Sequence, residues 1–302
     1  MTLSVVIITY NEEANIGRTL QSVAGLVRAV GGEIIVVDSG STDRTLEIAR
    51  GVGARVFVEP WKGYSAQKNS AIEKAVGDWI LSLDADEAVE PELIDEIAQQ
   101  SPIRESVPIK PSDNWCLTSA EANRSAPEKL RNLEKGPAGY WIPRKNFFLG
   151  RRIKHGGFWP DPKLRLFRRG IARFENRLVH EDVKLNGPAG KLKNTLLHYS
   201  YPTLSDYIEH MNRYSSLGAE MASQTMASQT MASPTMASQT FAPPSFSVFN
   251  IVLRPVATFI YNYFFRLGFL DGREGLLLHL YHSVYVSWKY AKAWELTRKQ
   301  HT

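Results

Sequence analysis

A chain of 302 residues with 43% hydrophobic composition can bury a sizeable core, which excludes a disordered polymer and fits one large domain or a domain with an appendage. Its single cysteine, Cys116, excludes an intrachain disulfide framework and suits a reducing compartment. The formal net charge of +5 calls for an anionic partner, whether nucleotide, nucleic acid or membrane surface, and does not choose among them.

The first element is the apolar run Leu3–Thr9, a predicted buried strand. It has no basic region before it, is too short for a signal core, and is followed at once by Glu12 and Glu13, so no secretory leader is expected. Strands are also predicted at Glu33–Asp38, Ala54–Val58 and Trp79–Leu83, separated by segments of helical period. Ile16, Leu20 and Val23 mark one crossover helix; Leu46, Ile48 and Ala49, ahead of Gly51 and Gly53, mark a second. This alternation predicts an α/β fold with a mostly parallel sheet, in which ligands bind beyond the carboxyl ends of the strands. Three polar loops fall at those ends: Thr9-Tyr10-Asn11-Glu12-Glu13, Asp38-Ser39-Gly40-Ser41-Thr42-Asp43 and Asp84-Ala85-Asp86-Glu87.

From 101 to 140 the periodicity fades among scattered prolines, and an irregular excursion is expected. Residues 144–177 gather eleven Lys and Arg side chains, laced with aromatics, against only Asp161 and Glu175. Four tandem Met-Ala-Ser-Gln-Thr units occupy 221–240, with Pro234 in place of Gln in the third; they read as a low-complexity insertion in an exposed linker. Phe246 to Trp294 is rich in aromatics, yet Arg254, Pro255, Arg266, Asp271, Arg273 and Glu274 interrupt it before a spanning length accumulates.

Asp84 and Asp86 at a strand mouth are suited to hold a hard cation together with diphosphate oxygens. A carboxylate at Asp38 can accept from a base or ribose, while Ser41, Thr42 or Asp43 can cap the next helix. A dinucleotide enzyme would need a glycine-rich turn after the first strand, where this chain has Thr-Tyr-Asn-Glu-Glu.

These loops, with Gln67-Lys68-Asn69, resemble the family 2 inverting glycosyltransferases of GT-A fold. The resemblance implies a Rossmann-like, mostly parallel sheet flanked by helices, here with a helical, aromatic-rich C-terminal extension. It places Thr9, Tyr10, Glu12, Asp38, Ser39, Lys68 and Asp84 around a nucleotide-sugar, and a divalent metal, Mg2+ or Mn2+, on Asp86 with Asp84 assisting. His198 is a further possible metal ligand, against the alternative of a satisfied core histidine. Inversion also needs a base on another segment, and family members use an acidic pair there; Asp182, before Glu181, is the candidate within His180-Glu181-Asp182.

The later stretches Arg144–Gly150, Arg165–Arg168, Val179–Asp182 and Asn212–Ser215 resemble the bacterial lipopolysaccharide-core β-1,4-glucosyltransferases. That implies transfer of glucose from UDP-glucose to an inner-core heptose, a lipid-linked anionic saccharide that the basic stretch would suit. The expected organisation is a glycosyltransferase domain at 1–215 (nucleotide-sugar half 1–100, acceptor half 140–215), a linker at 216–245 and an amphipathic membrane-association region at 246–302. The expected place is the cytoplasmic face of the inner membrane, held peripherally. Tyr281, Tyr285 and Trp288, followed by Lys289 and Lys292, are the expected anchor, with Phe259, Tyr261, Tyr263, Phe264 and Phe265 adding aromatic surface. Polyprenyl-phosphate glycosyl transfer is the alternative activity. A basic nucleic-acid-binding module is the non-enzyme alternative; it leaves the three acidic loops unexplained, so no nucleic-acid partner is expected.

Overall fold

The computed structural model describes residues 2–99, 136–175, 183–230 and 247–299. Cys116, Arg177 and the whole of His180-Glu181-Asp182 lie outside them. The described residues form two compact units: the first holds those within 2–145, 161–175 and 183–199, the second those within 146–160, 200–230 and 247–299.

The first unit is built on a seven-stranded sheet. Four strands, β1 (Leu3–Thr9), β2 (Glu33–Asp38), β3 (Arg55–Val58) and β4 (Trp79–Asp84), run parallel in the order β3-β2-β1-β4, with Ile7 beside Val36 and Leu83. Beyond β4 the sheet continues through β9 (Lys163–Arg168), antiparallel to both β4 and β6 (Gly139–Ile142), and ends on β12 (Ala189–Lys191). The near-continuous apolar runs of β1 and β4 are those of strands covered on both faces. On one face Leu3, Val5 and Ile7 meet Ile16, Leu20, Val23 and Leu26 of α1 (Ile16–Val30), together with Leu93 and Ile97 of α4 (Pro91–Gln99). On the other, Val6, Ile35, Val37 and Ile80 meet Ala71 of α3 (Tyr64–Glu73).

The predicted strands agree with those observed to within one residue at each end, and α2 (Thr45–Gly51) stands where the second crossover helix was predicted. Close approach at the foot of the sheet needs glycine: a Cβ on Gly77 would fall 2.6 Å from the Ser4 amide nitrogen, and the Gly77 N–H itself donates to Ser4 Oγ at 2.9 Å. Two short ladders complete the unit, β10 (Ala172–Phe174) with β11 (Val183–Leu185), and β5 (Glu87–Val89) antiparallel to the first residues of β13 (Leu196–Tyr201), with His198 opposite Glu87.

The second unit carries a tight hairpin and three long helical stretches. Phe147 and Phe148, at the end of β7 (Arg144–Phe148), pair with Arg152 and Arg151 of β8 (Arg151–Arg152). The two turn residues, Leu149 and Gly150, both take positive φ (50° and 78°), as a two-residue turn of matching twist requires. Helix α5 (Leu204–Thr230) starts on a reciprocal cap, in which the Asp206 N–H donates to Thr203 Oγ1 and the Thr203 N–H to Asp206 Oδ2. It continues through the first two repeat units; the others lie outside the described residues. Helix α6 (Arg254–Ile260), flanked by π-helical turns at Phe249–Leu253 and Tyr261–Phe265, leads to α7 (Gly272–Lys299). Phe148, Ile153, Tyr207 and Leu278 form this unit's core. Buried Asp271 accepts the Lys154 and His155 N–H groups. Among the described residues no helix is long and apolar enough to cross a membrane.

Candidate active site

The ends of β1, β2 and β4 meet along one edge of the sheet, and their loops are stitched to each other by short polar side chains. The Asn11 N–H donates to Ser41 Oγ and the Thr42 N–H to Asn11 Oδ1, each at 2.8 Å, with Asn11 in the left-handed region (φ 52°). The Glu12 N–H donates to Thr45 Oγ1 at 2.8 Å, and the Glu13 N–H to Asp43 Oδ2 at 3.1 Å. Asp43 also accepts the Thr45 N–H at 3.0 Å, so it acts at the start of α2 as the capping role predicted.

Asp38 is fully buried at the end of β2, where its Oδ1 accepts the Gly40 and Ser41 N–H groups and its Oδ2 accepts Ser41 Oγ–H. These bonds fix the carboxylate and leave one of its roughly four lone-pair positions for a further donor. Around it lie polar atoms with nothing to bind: Thr9 Oγ1 and Ser39 Oγ at the strand ends, and both amide atoms of buried Gln67 on α3, have no hydrogen-bond partner. Buried polar groups left unpaired are costly and mark a place where a ligand completes the bonding.

Lys68, one residue on, is buried and reaches Asp84 Oδ1 with its Nζ at 2.7 Å. Neighbouring Asn69 holds α3 to β10, accepting the Phe174 N–H and donating to the Phe174 carbonyl. The other oxygen of Asp84 is taken by Arg165 Nη2 from β9. Burial alone would raise the Asp84 carboxyl, but the Arg165 and Lys68 cations outweigh it and hold it well below the usual range. Arg165 also donates to fully buried Glu87 at 2.8 Å, Glu87 accepts Arg144 at 2.9 Å, and Arg144 pairs with Asp161 at 2.6 Å. Charges therefore alternate in an unbroken chain from Lys68 to Asp161.

This network was missed in the sequence, where residues 144–177 stood out only as a basic stretch. Arg144 and Arg165 point inward because Glu87 is fully buried and Asp84 partly so, and both must be compensated; Arg151, Lys154 and Arg173 are exposed. The signal available was β9 itself, Lys163-Leu-Arg-Leu-Phe-Arg, where a cation sits inside an apolar run. Arg165→Met, which removes the charge and keeps the length, is expected to destabilise the fold by about 1.5–3 kcal/mol, since Asp84 keeps Lys68 and Glu87 keeps Arg144 but each loses a charged partner. Urea unfolding of the two proteins side by side measures it.

Asp86 projects from the loop after β4. The pairing of β5 with β13 sets His198 beside it, with Nε2 at 3.3 Å from Asp86 Oδ2, and the Tyr199 N–H donates to the Asp86 carbonyl at 3.0 Å. Burial pushes the Asp86 carboxyl up, but His198 reverses this and the net shift is downward. Glu12 is raised, first by burial and then by the charges of Asp86, Asp43 and Asp84, against a hydrogen bond from Asn15. It thus lies within the field of the aspartates, as does Lys68, whereas Tyr10 stands 57% exposed at the rim. Among the described residues no three His, Cys, Asp or Glu side chains converge as a ready-made metal cluster.

Residues 4–173 match the model of glycosyl transferase family 2. The chain belongs to this family. It is 52% identical over 224 residues to an uncharacterized glycosyltransferase of Rickettsia felis, covering 71% of this chain and 68% of that one. Over 286 residues it is 29% identical to another from Rickettsia typhi, covering 91% and 80%. Over 227 residues it is 30% identical to the lipopolysaccharide core biosynthesis glycosyltransferase LpsC of Rhizobium meliloti, covering 73% and 71%. A crystal structure of glucosyl-3-phosphoglycerate synthase from Mycobacterium tuberculosis shares 34% identity over 28% of this chain and 34% of that one, with a TM-score of 0.26. The molecule is thus a glycosyltransferase of GT-A-like architecture, with a mostly parallel central sheet and a C-terminal helical region, as the sequence motifs implied.

Proposed function

We propose that this glycosyltransferase moves a hexose, glucose from UDP-glucose, onto the inner-core heptose of a lipopolysaccharide, inverting the anomeric centre. The observation that carries the donor half is the gathering of Asp38, Lys68, Asp84 and Asp86 at the sheet edge, beside unpaired Thr9 Oγ1 and Ser39 Oγ. The acceptor half rests on the similarity to LpsC, a lipopolysaccharide core biosynthesis glycosyltransferase, and on the resemblance of the later motifs.

In this reading Asp38 and Ser39 receive the nucleoside, Thr9, Tyr10 and Glu12 border it, and Lys68, oriented by Asp84, faces the diphosphate. The donor chemistry of Asp86 and His198, a carboxylate oxygen and an imidazole nitrogen 3.3 Å apart, fits a divalent cation, which these two residues would hold. Asp84 is already engaged by Lys68 and Arg165, so its part is to place Lys68 and the loop that carries Asp86. A bound Mg2+ or Mn2+ supplies positive charge to the departing diphosphate. Asp182 takes the proton of the acceptor hydroxyl, whose oxygen attacks the anomeric carbon from the face opposite UDP. The new glycosidic bond forms as the bond to the diphosphate oxygen breaks, and UDP departs.

The enzyme is placed on the cytoplasmic face of the inner membrane, where a cytosolic donor meets a lipid-linked anionic acceptor. Its catalytic part is assigned to 1–215 and its membrane-association region to 246–302; of the 216–245 segment expected as a linker, 216–230 is instead the end of helix α5. Incubation with UDP-glucose, UDP-galactose and GDP-mannose tests the donor assignment by release of nucleotide. Preferential consumption of UDP-glucose is the expected result; preference for GDP-mannose would overturn it.

A further inference from the structure

We propose that the apolar face of the Phe249–Phe265 stretch is the surface that enters the lipid headgroup layer. This deepens the peripheral-membrane reading above, on which it rests, by assigning the contact to residues other than the aromatic stripe of α7. Phe249, Leu253, Val256, Ile260 and Phe264 recur every three or four residues along α6 and its flanking turns, and each is more than two-fifths exposed; Phe265 is 75% exposed. By the helical rise this stripe is roughly 20 Å long. A contiguous apolar face of that size on a folded protein marks an interaction site.

Its charge selects the partner. Between Ser247 and Leu280 the exposed charged side chains are Arg254, Arg266 and Arg273. The two acids of the same stretch are not free: Asp271 is buried against the Lys154 and His155 amides, and Glu274 is paired with Arg151 at 3.6 Å. An exposed apolar helix face in a stretch whose exposed charges are all cationic fits a bilayer containing anionic lipid.

The stripe expected from sequence is placed otherwise. Tyr281, Tyr285 and Trp288 are half-buried, and Tyr281 packs against the core of this unit. The Lys292 ammonium donates to the Asn212 carbonyl at 2.7 Å and to Ser215 and Ser216 at 2.8 and 2.9 Å, so it serves to hold α7 to α5. Of the additional aromatics, Tyr261, Phe264 and Phe265 are exposed as expected, while Phe259 and Tyr263 stack on each other at 5.1 Å and are half-buried.

The test is sedimentation of the full chain with vesicles of phosphatidylethanolamine and phosphatidylglycerol, at low salt, compared with pure phosphatidylcholine. The chain is expected to prefer the anionic vesicles. The double variant Phe249→Glu/Phe264→Glu is expected to bind them at least about tenfold more weakly, with thermal unfolding and UDP-glucose consumption unchanged. Arg254→Gln/Arg273→Gln is expected to lose the preference for anionic lipid while retaining the weaker binding. If the unsubstituted chain ignores both vesicle types, the peripheral reading fails and this assignment with it. If it binds and the double phenylalanine variant binds equally well, only the assignment fails. Loss of a dimer by light scattering, with vesicle binding intact, would show that a second copy covers this face.

Discussion

Replacing Asp86 by Ala is expected to lower turnover by at least about 10³-fold, beyond the loss of a single stabilising donor at a reacting group. The side chain stands where the carboxyl end of β4 opens to the ligand edge and is drawn into its ionised form by His198, so at neutral pH it presents a full negative charge. Its removal takes away one of the two protein donors proposed for the divalent ion. The backbone link to Tyr199 is unaffected, because there Asp86 uses its carbonyl oxygen. Turnover should therefore collapse while the thermal transition shifts by only a few degrees, the signature of a functional rather than an architectural residue. Retention of most activity, or full activity of the unsubstituted enzyme in excess chelator, would remove Asp86 from the proposed centre. His198→Ala should weaken activation by the cation by roughly 10- to 100-fold, read from its concentration dependence.

The second large effect is expected at Asp182. Asp182→Asn keeps the shape and loses the ability to accept a proton, so the chemical rate should fall by roughly 10²–10⁴-fold with donor affinity nearly unchanged. Single-turnover kinetics with saturating donor separates the two quantities. Glu181→Gln is the comparison: a dead Glu181 variant beside an active Asp182 variant would reverse the assignment within the pair. Inversion needs a base on a different segment from the metal loop, and the family resemblance gives its position.

What could be seen in the sequence follows from how far each signal acts. The parallel strands announce themselves because a strand buried on both faces must be a β-branched apolar run, and each such run in 3–84 is a strand within a residue of its expected limits. The loops at their ends are equally legible, since polar residues placed directly after buried strands have few reasons to be there. The second half of the first unit is another matter. Strands β6 and β9 extend the sheet beyond β4, yet β6 has only four residues, β9 carries Arg and Lys, and both find their partners far away in sequence. No local pattern shows that Arg165 sits opposite Asp84, or that Glu87 binds Arg144 from 57 residues away. Composition alone made these arginines part of a basic stretch; the geometry makes them the counter-charges of the loop that bears Asp86. His198 is an intermediate case. Its residue type suggested a ligand, but only the ladder between β5 and β13 brings its ring to the aspartate.

The most direct test of the central claim is the product itself. The full-length enzyme is given UDP-glucose, a divalent cation and two acceptors in parallel, a heptose-terminated lipopolysaccharide core and a polyprenyl phosphate, and each is analysed by mass spectrometry and linkage analysis. One hexose added in β linkage to heptose, with the polyprenyl phosphate unchanged, is the expected result. Hexose on the polyprenyl phosphate and none on the heptose would contradict the account and transfer the same catalytic edge to the alternative acceptor.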